Sequence, residues 1–326
     1  MFSMMPSPSE ARYFRDRDRV LGSRAFRRLS GKTQVVACPN DPIVRTRLTH
    51  TLEVSSISRE IGRALGLIEP LVDAIALGHD LGHPAFGHAG EKALASLVKG
   101  GFHHAAQGVR VVTEIEPDLD LSSPVIEGIL KHSKGRSGAI FARGTAHAVL
   151  TLEARVARAG DLFAYACHDL DDAYSLGAIH PREIPQRVEA SLGCTPAEVR
   201  RCLVDRTVQE SLRQGEPSLD AETEAALQEL RGFLYERLYE GPRIARQTSF
   251  VRSLIESLWE VACTQEDRFF RALLLEKAPL GPASLDLGRR FIDAIASMTD
   301  RQVLSLGRAL RLPRKSRSMP IVAAAF

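Results

Sequence analysis

The 326-residue sequence has few features of a secreted, membrane-bound or disulfide-stabilised protein. Its five cysteines (Cys38, Cys167, Cys194, Cys202 and Cys263) are scattered and never spaced as CxxC, so neither a disulfide framework nor a thiolate zinc site is indicated. We expect them to be reduced and mostly buried. No stretch approaches the roughly 20 apolar residues of a spanning helix, and the N-terminal stretch lacks the apolar segment of a signal peptide. We therefore expect a cytoplasmic protein without a membrane partner.

Net charge and aromatic content are also low. The 43 Lys and Arg residues exceed the 40 Asp and Glu residues by only three, too few to require a nucleic-acid or membrane partner. Hydrophobic residues at 44% and charged residues at 25% are ordinary values for globular proteins, which excludes disordered and collagen-like chains. A chain of this length can bury both a sizeable core and a catalytic site.

Helical periodicity dominates the sequence, and β-forming residues gather only in the run 33–36. Over 48–67, apolar residues recur at helical spacing, and the stripe they form turns His50 towards the core. A second helix starts after Pro70 and ends in the glycine- and proline-containing stretch 78–84. Further helices are predicted at about 88–98, 104–115, 123–133, 149–177, 182–191, 196–214, 219–240, 243–274 and 286–309. The predicted fold class is all-α.

Half of the ten histidines lie within residues 79–104, at a predicted helix end: His79, His83, His88, His103 and His104. Metal binding needs several imidazoles or carboxylates that converge on one point, and separate helix ends can provide them inside a bundle. Nitrogen and carboxylate ligands leave positions open for water and substrate, and they suit Mn, Mg, Fe, Co or Zn. Inward-facing His50, the adjacent pair 79–80 and one further carboxylate would form such a site.

Three groups of motifs resemble the HD-domain deoxynucleoside triphosphate triphosphohydrolases, the dGTPase family. They are RTRLTHTLEV at 45–54, GHDLGHPAFGHAGE at 78–91, and LEA at 152–154 followed by DLFAY at 161–165 and HDLDD at 168–172. A His-Asp pair alone is a weak motif, but the long run after RTRLTH is very specific. The likeness extends from about residue 15 to residue 301.

The resemblance implies an HD-domain helical bundle with a helical C-terminal extension. Residues 1–45 would form an N-terminal helical or extended segment that contributes to the nucleotide pocket. Residues 46–180 would form the metal-dependent phosphohydrolase core, and 181–326 would complete the pocket and pack against neighbouring subunits. Because members of the family commonly form tetramers or hexamers, we expect a homo-oligomer.

By the same resemblance, one divalent ion would be bound by His50, His79, Asp80 and Asp161. A second ion is the alternative. The catalytic residues around the phosphates would be His83, His88, Glu91 and His104. Since residues 88 and 91 lie three apart on a predicted helix, the carboxylate can orient the imidazole, and His88 is the first candidate for proton transfer.

Substrate contacts are also implied by the resemblance. Arg47 would reach a phosphate oxygen, Tyr165 and Asp169 the sugar, and Gln34 and Val35 the base, while Arg231 and Tyr239 would touch the phosphate tail and the base. Positions 161, 165 and 169 are four apart and therefore share a helix face. A bulky ring under C2′ of the sugar would exclude ribonucleotides.

Three positions depart from the family pattern. Leu162 stands where a lysine that neutralises the triphosphate often follows the metal-binding aspartate. Ala105 departs from the usual FxHNxQSxR motif, and Gly241 belongs to a pair that is usually more basic or polar. Phosphate charge must therefore be met elsewhere.

The resemblance implies metal-dependent hydrolysis of a deoxynucleoside triphosphate (dNTP), with dGTP as one candidate, to the deoxynucleoside and inorganic triphosphate. The first alternative keeps the metal site but acts on a nucleoside monophosphate, a cyclic nucleotide or an alarmone. The second is a nucleotide-sensing or single-stranded-DNA-binding regulator. A net charge of +3 and a single tryptophan give DNA binding little support.

Overall fold

The computed structural model describes residues 7–35, 44–98, 100–133, 140–141, 150–276 and 285–313. Over these residues it contains fifteen α-helices and short 3₁₀ and π turns, and its one β pairing is an isolated antiparallel bridge between Thr33 and Thr46. The predicted all-α class is confirmed. Within the same ranges, no helix combines the length and the apolar character that crossing a membrane requires.

The helices follow one another with short connections. The first eight are α1 (Pro8–Gly22), α2 (Arg24–Arg28), α3 (Arg47–Ala64), α4 (Glu69–Gly78), α5 (Gly87–Leu97), α6 (His104–Arg110), α7 (Ser123–Lys131) and α8 (Leu152–Ser175). The others are α9 (Gln186–Leu192), α10 (Pro196–Gln214), α11 (Ala221–Leu234), α12 (Pro242–Thr264), α13 (Glu266–Leu275), α14 (Leu287–Ala296) and α15 (Asp300–Ala309). Eight of them begin after a Ser, Thr or Asp whose side chain accepts a first-turn amide. Such caps satisfy amides that have no partner within the helix.

Two long predicted helices are each divided in the structure. The predicted helix 243–274 breaks at Gln265, whose backbone leaves the helical region (φ −142°, ψ 55°). The predicted helix 286–309 breaks before α15, because Thr299 caps a new helix and shares a capping box with Gln302. In both cases a polar residue separates two helices within a segment whose apolar residues recur at helical spacing. Periodicity alone therefore does not show the break.

The cysteine expectation is only partly met. Of the four described cysteines, Cys167 is buried, Cys194 and Cys202 are half-buried and Cys263 is exposed in the last turn of α12. The expectation that most are buried is therefore wrong, because helices on the surface present some of these side chains to solvent. Cys38 lies outside the described residues.

Two hydrophobic cores lie on either side of the histidine-rich segment. The first is built mainly by α1, α3, α4, α8, α10 and α11, and every residue of α4 from 70 to 78 is buried in it. The second is built by α5 and α12–α15, and includes Phe86, Phe269 and Phe291. The predicted metal motif begins at the end of α4 in the first core and continues into α5 in the second.

Lys32 joins three distant parts of the chain. Its buried ammonium group donates to the backbone oxygens of His83 at 2.6 Å and Ala296 at 2.7 Å. Burial and the nearby positive charges of Arg28 and Arg47 together lower the pKa of Lys32 to about 7, against the opposing effect of Asp300. The N-terminal segment thus holds the loop after α4 against the C-terminal end of α14.

Asp300 makes a second connection among the same three parts. One of its carboxylate oxygens accepts from the backbone amide and hydroxyl of Thr33, and the other accepts from the amide of Phe86 at 2.7 Å. Phe86 has left-handed backbone geometry (φ 63°) where α5 begins. At Gly87 (φ 56°), an added Cβ would lie 2.9 Å from the guanidinium of Arg47, so position 87 has no room for a side chain.

We expect Asp300→Ala to lower the free energy of unfolding by about 2–5 kcal/mol, because the buried amides of Thr33 and Phe86 lose their acceptor. The matched control is Asp286→Ala, which removes an exposed cap of α14 and should cost about 1 kcal/mol. Urea unfolding of both variants measures the difference. Equal losses would show that the Asp300 hydrogen bonds add nothing beyond a helix cap.

Candidate metal centre and histidine cluster

The four predicted metal ligands meet in the first core, although three helices supply them. His50 comes from α3, His79 and Asp80 follow the end of α4, and Asp161 comes from α8. Potential ligand atoms of the first three all lie within 4.8 Å of one another. The carboxylate of Asp161 lies 3.0 Å from Nε2 of His50, and its side chain is 14% exposed. This geometry provides two imidazoles and two carboxylates around one point.

The hydrogen bonds of His79 fix which of its ring nitrogens can bind a cation. Its Nδ1 lies 2.6 Å from the backbone oxygen of Ala76, and because a carbonyl only accepts, Nδ1 carries the hydrogen. Nε2 then holds a lone pair; it is buried and has no hydrogen-bond partner among the described residues. The nearest carboxylate oxygens, from Asp80 and Asp161, are 3.3 Å and 3.6 Å away. A buried lone pair beside two carboxylates fits a divalent cation.

His50 has a comparable arrangement. Its Nδ1 lies 3.2 Å from Nδ1 of His168, whose Nε2 contacts the carboxylate of Glu53. Since a carboxylate accepts, His168 carries its hydrogen on Nε2 and accepts at Nδ1 from His50. Nε2 of His50 faces the carboxylate of Asp161 at 3.0 Å, so it is the ring nitrogen placed to bind a cation shared with Asp161. The motifs contained Glu53 and His168 without indicating this role, although Glu53 lies three residues after His50 on α3.

Arg47 lies against the metal centre and is fully buried. Its Nη1 is 2.6 Å from Oδ2 of Asp80, and its Nη2 is 3.4 Å from the backbone oxygen of Gln34. Burial by itself would raise the pKa of Asp80, but Arg47 and the neighbouring imidazoles hold that pKa well below its usual value. For Asp161, burial is likewise outweighed by His50 and His79, which lower the pKa to about 2. Both carboxylates are therefore ionised at neutral pH.

Glu91 joins the two histidines predicted to act beside the phosphates. Its Oε2 lies 3.3 Å from Nδ1 of His88, and its Oε1 lies 2.8 Å from Nδ1 of His104 and accepts from the backbone amide of that residue. The imidazole of His83 stacks on His104 with ring centroids 3.9 Å apart and lies 3.2 Å from Oδ1 of Asp80. This group, His83, His88, Glu91 and His104, is called the histidine cluster below. The side chain of His88 is 43% exposed, so the cluster reaches solvent.

The predicted sugar contacts share one face of α8 with Asp161. The hydroxyl of Tyr165 lies 3.1 Å from Nε2 of His88, and its ring lies 4.8 Å from that of His50. Four residues on, Asp169 accepts a 2.6 Å hydrogen bond from the hydroxyl of Tyr239. Burial raises the pKa of Asp169 to about 7, although the Tyr239 hydrogen bond opposes this shift.

The predicted base contacts border a small apolar group. Val35 packs in one cluster with Leu238, Tyr165, Tyr239 and Ile244. The side-chain amide of Gln34 is buried, and neither its nitrogen nor its oxygen has a hydrogen-bond partner among the described residues. An unsatisfied buried amide beside an apolar surface can pair with a polar ring edge.

Arg231 lies on α11, near Asp169. Its Nη1 donates to Oε1 of Gln228 at 3.0 Å. Its charge is close enough to lower the pKa of Asp169, against the larger effect of burial. The structure thus brings Arg231 near Asp169.

The three departures from the family motifs have different structural settings. Leu162 packs at the edge of the first core, Ala105 is fully buried in α6 and Gly241 precedes α12. None of these side chains supplies charge to the centre. His103 caps α6 by accepting from the amide of Ala105 and stacks on His104, at the margin of the cluster.

The motifs did not indicate five residues that the structure places at or behind the site. They are Lys32, Glu53, His132, His168 and Asp300. His132 closes α7; its ring lies 5.1 Å from that of His79, and its Nε2 lies 3.1 Å from Nε2 of His104. The sequence signal for His132 was weak, because a histidine at the end of an apolar helix is a common structural feature.

Comparison with protein-family models gives two matches. The HD domain model matches residues 47–166, and the phosphohydrolase-associated domain model matches residues 218–309. The first match spans all four residues of the proposed metal centre. The chain is an HD-domain phosphohydrolase, a class whose activity depends on a divalent metal ion.

Curated relatives show which family of HD-domain phosphohydrolases this chain is similar to. A deoxyguanosinetriphosphate triphosphohydrolase-like protein of Caldanaerobacter subterraneus subsp. tengcongensis is 39% identical over 302 residues, which cover 92% of this chain and 84% of that protein. A protein of the same description from Desulfatibacillum aliphaticivorans is 38% identical, with 92% and 87% covered. A crystal structure of a hypothetical protein from Aquifex aeolicus aligns over 86% of this chain and 70% of that one, at 20% identity and a TM-score of 0.49. This chain belongs to the deoxyguanosinetriphosphate triphosphohydrolase-like family.

We expect His79→Gln to abolish tight metal binding, because it replaces the buried Nε2, which has no hydrogen-bond partner among the described residues and lies beside two carboxylates. The loss should exceed the roughly 10- to 100-fold that removal of an outer hydrogen bond costs. Elemental analysis after loading with Mn²⁺ and dialysis measures the content. His103→Gln is the control, since that side chain caps α6 and should leave the metal content unchanged. Equal metal in both variants would contradict the proposed ligand set.

Proposed function

We propose that this protein hydrolyses deoxynucleoside triphosphates to the deoxynucleoside and inorganic triphosphate, using a divalent ion bound by His50, His79, Asp80 and Asp161. The observation that carries the proposal is the unpaired, buried Nε2 of His79 between two ionised carboxylates, with the histidine cluster directly beside it. The descriptions of the relatives, which name deoxyguanosine triphosphate, support this substrate class, and dGTP is the first candidate.

The donor set is compatible with Mn, Mg, Fe, Co or Zn, and it contains no thiolate that would favour a softer metal. A divalent ion in this centre supplies Lewis acidity, which polarises a phosphoryl oxygen and makes a water molecule more acidic. The protein keeps Nε2 of His79 and Nε2 of His50 directed inward through the contacts of their Nδ1 atoms with the backbone oxygen of Ala76 and with His168. A second ion remains an alternative, and metal analysis of the purified protein would count both.

His88 is the residue we propose for proton transfer to the leaving 5′-oxygen. Ionised Glu91 accepts at its Nδ1, so the proton exchanged with substrate is on Nε2, which now lies beside the hydroxyl of Tyr165. Hydrogen bonds from His104 and His88 hold the pKa of Glu91 far below its usual value despite its burial. His83 contacts Asp80 and stacks on His104. We propose that His83 and His104 border the phosphates together with Arg47.

The neighbouring surfaces fit a deoxyribose and a base. We propose that Tyr165 packs under C2′ and that Asp169 accepts from the 3′-hydroxyl, with the hydroxyl of Tyr239 beside it. Gln34 and Val35 would contact the base, since an apolar surface and an unsatisfied amide lie together there. We propose that Arg231 contacts the phosphate tail from the same side.

Residues from all three predicted parts of the chain would then form the pocket. Residues 1–45 would supply the base contacts, 46–180 the metal centre and the proton donor, and 181–326 the residues 231 and 239. Packing of α5 on α12 and the hydrogen bonds of Lys32 and Asp300 support this division of roles. Assembly into a tetramer or hexamer and binding of single-stranded DNA stay predictions, and analytical ultracentrifugation with and without an oligonucleotide would test both.

The deciding experiment incubates the Mn²⁺- or Mg²⁺-loaded protein with each of the four dNTPs and with GTP, and separates the products by ion-exchange chromatography. We expect deoxynucleoside and inorganic triphosphate in equal amounts. Release of pyrophosphate or orthophosphate, or no product from metal-loaded protein, would reject the reaction and leave monophosphates, cyclic nucleotides and alarmones as candidates.

His88→Ala serves as the paired variant in this assay. It should keep its metal, because His88 is outside the metal centre, and lose about 10²- to 10⁴-fold in kcat, the usual contribution of general acid catalysis. Undiminished turnover by this variant would reassign the proton donor.

Tyr165→Ala tests the proposed sugar site. Removing the ring should reduce the preference for dGTP over GTP, measured as the ratio of kcat/KM values, by about 100-fold, since the ring is proposed to exclude the 2′-hydroxyl. The ratio is compared because the variant also loses a hydrogen bond to His88. Tyr174→Ala is the matched control: it lies on the same helix and donates to the backbone oxygen of Cys194. An unchanged ratio in Tyr165→Ala would place the sugar elsewhere.

A further inference from the structure

His104, a member of the histidine cluster, forms a hydrogen-bonded pair with His132, which lies behind the cluster. Their Nε2 atoms lie 3.1 Å apart, and both side chains are buried. At one end of the pair, Nδ1 of His104 lies 2.8 Å from Oε1 of Glu91. At the other end, Nδ1 of His132 lies 2.7 Å from the backbone oxygen of Ile129.

These contacts fix the number of protons on the pair. A backbone oxygen and an ionised carboxylate both only accept, so the two outer Nδ1 atoms must each carry a hydrogen. The central contact between the Nε2 atoms needs one hydrogen more. Three protons on four ring nitrogens are one more than two neutral imidazoles hold, so the pair carries one positive charge.

The surroundings place this charge on the His104 side. The titratable groups around the pair are His79, His83, His88, His103, Glu91, Asp80 and Asp161. Among the three carboxylates, that of Glu91 makes a hydrogen bond with His104. His132, by contrast, faces the neutral backbone oxygen of Ile129 through its Nδ1. A neutral His132 with its hydrogen on Nδ1 then accepts from a doubly protonated His104.

We propose that His132 is a positioning residue: it keeps His104 doubly protonated, and the His104 cation fixes the ionised carboxylate of Glu91 on Nδ1 of His88. The chain of contacts runs from Ile129 through His132, His104 and Glu91 to His88. The inference rests on the proposed function only in taking His88 as the proton donor. The proton count itself depends on no substrate.

The same chain separates two roles within the histidine cluster. Both N–H groups of His104 are used, towards Glu91 and towards His132, so His104 has no proton to transfer without breaking a buried hydrogen bond. His88 contacts Glu91 through one nitrogen only and is 43% exposed. Proton transfer therefore belongs to His88, while His104 and His132 orient it.

Two substitutions at His132 separate hydrogen bonding from packing. In His132→Gln, the side-chain oxygen can accept from His104 and the amide can donate to Ile129, whereas His132→Leu fills similar space and does neither. We expect His132→Leu to lose roughly 10- to 100-fold in kcat, with KM and metal content near those of the parent, because a hydrogen bond to a charged group is removed. His132→Gln should recover most of this loss. Equal losses in the two variants would overturn the proposal, since packing would then explain them.

The second measurement counts the protons without substrate. Long-range ¹H–¹⁵N correlation spectra of histidine-labelled protein show which ring nitrogens carry hydrogen, with His104 and His132 assigned from their Gln variants. We expect three protonated nitrogens on the pair in the metal-loaded protein, and a singly protonated His104 in His132→Leu. Two protonated nitrogens in the parent would overturn the proposal whatever the activity.

Exposed His180→Gln is the control for the labelling and for activity, since His180 caps a 3₁₀ turn outside the cluster. If the parent protein releases no triphosphate from any dNTP, the proposed function fails. The proton count then still decides this proposal: three protons support it and two overturn it.

Discussion

The structure depends on keeping two ionised carboxylates and the inward-facing nitrogens of two imidazoles buried at one point. Charges buried without partners are strongly unfavourable, and here Asp80 is paired with a fully buried Arg47 while Asp161 faces His50. Each imidazole also needs an acceptor behind it, which is the Ala76 carbonyl for His79 and His168 for His50. Helices α3, α4 and α8 therefore have to pack closely around this centre, and a bound cation would balance the negative charge that remains.

The C-terminal region contributes to this centre although it supplies no ligand. Asp300 accepts from the amide of Phe86, and Ala296 accepts from Lys32, so the loop between α4 and α5 is held from the second core. His88 comes two residues after the left-handed residue 86, and its direction depends on that turn. The region that matches the phosphohydrolase-associated domain thus sets the position of the proposed proton donor relative to the metal centre.

Two kinds of histidine lie side by side in the site. In the metal centre, Nε2 of His79 and Nε2 of His50 face the carboxylate of Asp161, whereas His104 of the histidine cluster and His132 behind it share one proton too many. The two groups are separated by His83, which contacts Asp80 on one side and stacks on His104 on the other. The apolar Leu162, at the position next to Asp161, supplies no charge to this region. Positive charge near the centre comes instead from Arg47 and, in our proposal, from the His104–His132 pair.

Local pattern determined much of this protein: the helical class, the inward direction of His50 and the common face of Asp161, Tyr165 and Asp169 all follow from the 3.6-residue period. The motif resemblance added the family and the four proposed ligands, but neither could show the breaks at Gln265 and before Asp300, where polar caps interrupt apolar helices. Only the tertiary structure joined Lys32 to residues 83 and 296, and His132 to His104. These contacts link residues 28 to 264 positions apart, and they form because buried donors and acceptors must find partners, whichever part of the chain provides them.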